Sequence, residues 1–149
     1  MDLKKILDAA KIPTLGLLCV LVVGVLLELA ALFFMPSVLG IISSFVVPVL
    51  AIFFVVYAGY LAAKKFSLGR LEAALAAVIA STIYGILKAL VRLAFVSLGV
   101  GALPASTAAM DQGTMIALLV VGLGIGVIIN AVLACVFGII GYYAAKKGL

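Results

Sequence analysis

Residues 81–92 read S-T-I-Y-G-I-L-K-A-L-V-R, a stretch that sets Lys88 and Arg92 inside an otherwise apolar run. On an α-helix Ser81, Tyr84, Lys88 and Arg92 follow i, i+3, i+7 and i+11 and share one face. Beside them Ala73, Ala77, Ser81, Gly85 and Ala89 recur at i+4 with small side chains only, a surface to which a second helix backbone can come close. A span with one polar face and one smooth face has to sit against other helices, because an isolated charge in hydrocarbon costs at least about 2.5 kcal/mol. The stretch therefore predicts a packed bundle of membrane-spanning helices.

Composition points the same way. The chain has 149 residues, 68% of them hydrophobic and 10% charged, against the roughly 25% charged residues of a soluble domain. Its length accommodates four spans of about 20 apolar residues joined by short loops, with no separate soluble domain. The fold class is thus all-α, a polytopic membrane protein of four transmembrane helices arranged as two hairpins, in one domain covering residues 1–149. The formal charge of +5 comes from short basic clusters abutting apolar spans. Those clusters suit anionic lipid headgroups, and no basic, aromatic-bearing surface is left for nucleic acid. The chain holds no His, and Cys19 and Cys135 each lie within an apolar run, where cysteine behaves as a small hydrophobe. Neither a metal nor a cofactor is expected.

Taken in order, residues 2–11 place Leu3, Ile6, Leu7 and Ala10 on one face, the pattern of a short interfacial helix over residues 1–12. Pro13 suits the first turn of a new helix. The first span covers about residues 14–34, uninterrupted but for Glu28, and although Lys4 and Lys5 precede it like a leader, its length marks a retained span. Met35, Pro36 and Ser37 make a tight turn into a second span over about 38–63, with Ser43 and Ser44 near its start and Pro48 inside, where a proline tends to kink a helix. The third span covers about 71–103, longer than the hydrocarbon core requires. Residues 104–113 form the longest polar loop, and a fourth span covers about 114–145. In it Gly122, Gly126, Asn130, Ala134 and Gly138 recur at i+4. This row and the one containing Gly85 predict close packing of the third and fourth spans, with the Asn130 amide bonding across to another helix.

Lys4, Lys5, Lys11, Lys64, Lys65, Arg70, Lys146 and Lys147 all flank one side, and the segments 35–44 and 104–113 contain no Lys or Arg. The positive-inside rule then puts both termini in the cytoplasm of a cell-membrane protein. The second span ends G-Y-L-A-A-K-K at 59–65 and the fourth ends G-Y-Y-A-A-K-K at 141–147, matching at six of seven positions with an offset of 82. Tyr and Lys are common interfacial anchors, so the motif reads either as a belt or as the trace of two parallel two-helix units. With its glycine-rich spans and G-Y-x-A-A span ends the chain resembles small four-helix membrane proteins of unknown function found in archaea. That resemblance implies paired hairpins and no particular activity.

Helical rise places Glu28 about 24 Å, Lys88 about 25 Å, Arg92 about 31 Å and Asn130 about 22 Å from the cytoplasmic side. Glu28 and Lys88 are accordingly expected to face inward and pair directly, with Arg92 near the outer interface. One carboxylate against two cations leaves an excess positive charge, suited to a small anionic ligand with Ser81, Tyr84 and Asn130 as hydrogen-bond partners. No arrangement of paired carboxylates, nucleophile with base, or metal ligands argues for an enzyme. The expected function is a small transporter or channel. The competing class is a non-catalytic accessory or assembly subunit, with a homo-oligomer or a membrane-protein partner.

Overall fold

The computed structural model describes residues 2–33, 36–97 and 112–148. They form four helices, α1 (Leu3–Phe33), α2 (Pro36–Lys64), α3 (Arg70–Ser97) and α4 (Gln112–Lys147). Each is long and apolar enough to cross a membrane. The expected polar loop up to Asp111 and the far end of the third span, 98–103, lie outside the described residues.

The N-terminal segment differs from expectation. No new helix begins at Pro13, because α1 runs unbroken through it. A proline inside a helix removes the bond to the carbonyl four residues back. Packing outweighs that loss here: Ile6, Ala9, Ala10, Pro13, Leu17 and Val20 are all buried along one continuous stripe of α1. Next to Pro13, Thr14 Oγ1 donates to the Ala10 carbonyl at 2.7 Å.

The link from α2 to α3 is short and locally determined. Leu68 N–H donates to the Ala62 carbonyl at 3.0 Å, with Ser67 in the left-handed region at φ 51°. Gly69 N–H then donates to Glu72 Oε2 at 3.0 Å, the reciprocal half of a capping box in which a carboxylate at the third helical position holds the residue before the helix.

At this end of the bundle Ile6, Ala9 and Ala10 of α1 meet Ala62 of α2, Leu68, and Ala73 and Ala76 of α3, with Tyr142 of α4 packed against them. A second cluster continues upward with Leu17, Val55, Ala58, Ala77, Ala80, Tyr84 and Ala134. Buried residues concentrate in this half. Beyond Val20 on α1 and before Val55 on α2, Val47 is the one buried apolar side chain among the described residues. Neighbouring contacts run α1 to α2, α2 to α4, α4 to α3 and α3 to α1, and α2 also touches α3 across the middle.

The tightest approach is between α2 and α4. A Cβ on Gly59 would collide with the backbone of Gly138, its carbonyl oxygen above all, and one on Gly141 would collide with the Val56 carbonyl and the Tyr60 nitrogen. Subtracting the repeat offset of 82 turns Gly141 into Gly59 and Gly138 into Val56. The crossing therefore maps onto itself when the two helices are exchanged. The same holds at the span ends, where Lys64 Nζ lies 4.9 Å from the Tyr60 ring centroid and Lys146 Nζ lies 5.3 Å from that of Tyr142.

The two i+4 rows fare differently. Ala73, Ala77, Ser81 and Gly85 of α3 are all buried. On α4, Gly138 packs against α3, where its Cβ would stand 2.7 Å from Ala77 Cβ and 3.0 Å from Ala74 Cα. Gly122 and Gly126, expected in the same contact, would bring a Cβ within 4 Å of nothing among the described residues. An i+4 row drifts by about 40° at each step around a helix of 3.6 residues per turn. Over the sixteen residues from Gly138 back to Gly122 the row winds about 160° and leaves α3 altogether. The α3 row winds equally, but α3 has neighbours on three sides, so a Cβ on Gly85 would still stand 3.5 Å from Val127 Cγ2 of α4.

A charged cavity between three helices

Because the bundle closes tightly at one half, the other ends of α1, α2 and α3 enclose a cavity of about 170 Å³. Its walls carry Glu28 from α1, Ser43 and Ser44 from α2, and Tyr84, Lys88 and Arg92 from α3. Four of the six expected cluster residues, Glu28, Tyr84, Lys88 and Arg92, therefore converge on it. The face formed by Tyr84, Lys88 and Arg92 turns toward α1 and α2, as the i, i+4, i+8 spacing requires. Below it Val47 packs toward Gly24, its methyls 3.5 Å from where a Gly24 Cβ would stand, an ordinary contact distance.

Ser81 and Asn130 are not part of this cavity. Ser81 Oγ instead donates to the Asn130 backbone carbonyl at 3.5 Å, in the α3 to α4 contact. The expectation that the Asn130 amide reaches across to another helix is corrected: the backbone of Asn130 faces α3, and its side chain lies on the exposed side of α4. The same winding that carries Gly126 outward carries the Asn130 side chain with it.

The direct pair between Glu28 and Lys88 is also corrected. Among the described residues the ion pairs within 4.0 Å are Lys5 with Asp2 and Lys11 with Asp8, both near the start of α1. Glu28, Lys88 and Arg92 line one space without closing on each other. Equal depth brings their side chains to the same cavity, but α1 and α3 part above Val20, and the volume between them keeps the charges separate. Lys88 Nζ sits 6.0 Å from the Tyr84 ring centroid, at the outer limit of a cation–π contact.

Ser43 and Ser44 are the wall residues that the sequence reading left out of the cluster. Their signal is the rise count that located Lys88: run from Val38 into the second span, it sets them about 9 Å from the N-terminal end of α2. Two cations, one carboxylate and three hydroxyls thus surround the cavity, with a formal charge of one positive unit. Such a set can neutralise a monoanion and donate hydrogen bonds to it. Cys19 and Cys135 are free thiols, and neither lines it. Comparison of the chain with protein-family models, with curated proteins and with solved structures finds no match.

Proposed function

We propose that this chain is a small multi-pass carrier of the cell membrane whose four helices form two hairpins with both termini in the cytoplasm, and that it binds a small anion in its outer half. The observation carrying this reading is the convergence of Lys88 and Arg92 with a single carboxylate, Glu28, on one cavity. Intramembrane charges are expensive and mark ligand paths when they face a shared space rather than lipid. The orientation is supported by the eight basic residues gathered at the closed end, where α1 and α3 begin and α2 and α4 finish. The cavity then lies toward the opposite, outer side.

The test is thermal stability of the purified protein in neutral nanodiscs, titrated with acetate at constant ionic strength. Acetate is expected to raise the melting temperature of the wild type. Arg92→Gln should remove that increase while leaving the unliganded melting temperature within a few degrees. Absence of any anion effect on the wild type would refute the reading.

The accessory-subunit reading is favoured by a different feature. Gly122 and Gly126, one helical turn apart, present bare backbone on one face of α4, the kind of surface on which transmembrane helices associate. A subunit of this kind would keep a partner bound through purification and would show no response to anions.

A further inference from the structure

The charged cavity has an apolar neighbour. Between α1 and α3 lies a second hollow, of about 400 Å³, whose lining residues are all apolar. Leu21, Val25 and Val91 belong to the walls of both hollows, so the two adjoin. The apolar one is completed by Val22, Leu26, Ala94 and Phe95. Val22 and Leu26 are 56% and 59% exposed, so this groove opens sideways between the two helices, where bilayer chains lie.

Resting on the reading of the cavity as an anion site, we propose that the bound anion is the head of a single-chain amphiphile of fatty-acid type. The carboxylate sits between Lys88 and Arg92, and the alkyl chain lies in the α1–α3 groove. Three features select this occupant. Two cations against one carboxylate leave one positive charge, which a monoanion neutralises; a phosphate monoester, with nearly two negative charges, would leave the cavity negative. The cavity is close in size to one of about 150 Å³ that takes benzene, so it holds a carboxylate and a few waters and not a sugar-bearing headgroup. The groove offers a ligand no hydrogen-bonding side chain but has more than twice the volume of the cavity, so it suits an alkyl chain and would be idle for a wholly polar anion. Tyr84, one turn before Lys88 on α3, and Ser43, on the α2 wall, supply hydroxyl donors to the head.

The experiment uses the full chain in phosphatidylcholine nanodiscs with hexadecanoate carrying a mid-chain diazirine. After illumination, mass spectrometry of the peptides locates the adducts. They are expected on residues 22–26 and 91–95, and excess plain hexadecanoate should suppress them while hexadecanol should not. Losing the charge-assisted contact in Arg92→Gln should reduce them about tenfold. The competition arm needs only the wild type, so a variant that folds poorly does not blunt the test. Adducts spread over the lipid-facing residues of all four helices, or equal suppression by hexadecanol, would overturn the proposal. Stronger competition by phosphatidic acid would overturn it in favour of a two-chain lipid. The acetate titration run alongside separates the failures: a retained, Arg92-dependent acetate effect with scattered adducts sinks only the amphiphile, and loss of both sinks the anion site as well.

Discussion

Adding one methyl group to the α2–α4 crossing, by Gly59→Ala, tests the packing described here most directly. The new Cβ would lie 2.7 Å from the Gly138 carbonyl carbon and 2.8 Å from its Cα, closer still to the oxygen. Backbone atoms of a helix cannot swing aside as a side chain does, so α2 and α4 must retreat by most of an ångström. A radial gap of that size forfeits a quarter to a half of each contact, and with on the order of thirty atom pairs at about 0.15 kcal/mol the loss is about 1 to 2 kcal/mol. That falls within the usual range for overpacked sites. Alanine also favours the helix over glycine by up to about 1 kcal/mol, which would mask part of the loss. Gly126→Ala supplies the correction, since it gains the same propensity and meets nothing within 4 Å. The difference between the two variants, measured by reversible unfolding in mixed micelles followed by far-ultraviolet circular dichroism, should be about 1 to 2 kcal/mol. Gly141→Ala should match Gly59→Ala because its contacts are the exchanged set. The double variant should cost less than the sum, since one retreat of the helices relieves both collisions. Equal stabilities for Gly59→Ala and Gly126→Ala would refute the crossing.

Two further outcomes follow from the site and the charge pattern. With Cys19 and Cys135 replaced by Ala, a cysteine at Ser106 should react with an impermeant maleimide added outside intact cells and one at Gly148 should not; the reverse pattern would invert the proposed orientation. A double-mutant cycle of Glu28→Gln with Lys88→Met should give a coupling of about 1 kcal/mol or less, because the two groups share a cavity without pairing, whereas a coupling of 3 kcal/mol or more would restore the direct pair.

Much of this architecture was legible in the chain, for identifiable reasons. Four apolar runs of sufficient length announce four helices, and the spacing of Tyr84, Lys88 and Arg92 announces a polar face, because both properties belong to a single helix. The rise per residue was enough to bring Glu28 to the cavity that holds Lys88. Properties that depend on which neighbour a helix has were harder to read. The row from Gly122 to Gly138 looks uniform in the sequence, yet it faces α3 at one end and meets none of the described residues at the other, since α4 packs mainly against α2 and α3 toward the closed end. The Asn130 amide was misassigned for the same reason. Pro13 reads as a helix start by local preference, and only the buried stripe from Ile6 to Val20 explains why α1 continues through it. Ser43 and Ser44 drew little notice because a hydroxyl in a span is cheap enough to occur without function.

The closed half of the bundle is built largely from alanine and glycine: Ala9, Ala10, Ala58, Ala62, Ala73, Ala76, Ala77 and Ala80, with Gly59, Gly138 and Gly141 at the crossing. These residues have no rotamers to lose, so docking the helices there freezes almost no side-chain freedom. That saving matters in a bilayer, where lipid tails are as apolar as the helix surface and association rests largely on close packing and a few interhelical hydrogen bonds. The long, rotamer-rich Glu28, Lys88 and Arg92 are all placed beyond the docked half, in side-chain positions that remain exposed. The molecule thus divides by entropy as well as by packing: one half is inexpensive to order, and the other carries the long side chains that have rotamer freedom to lose.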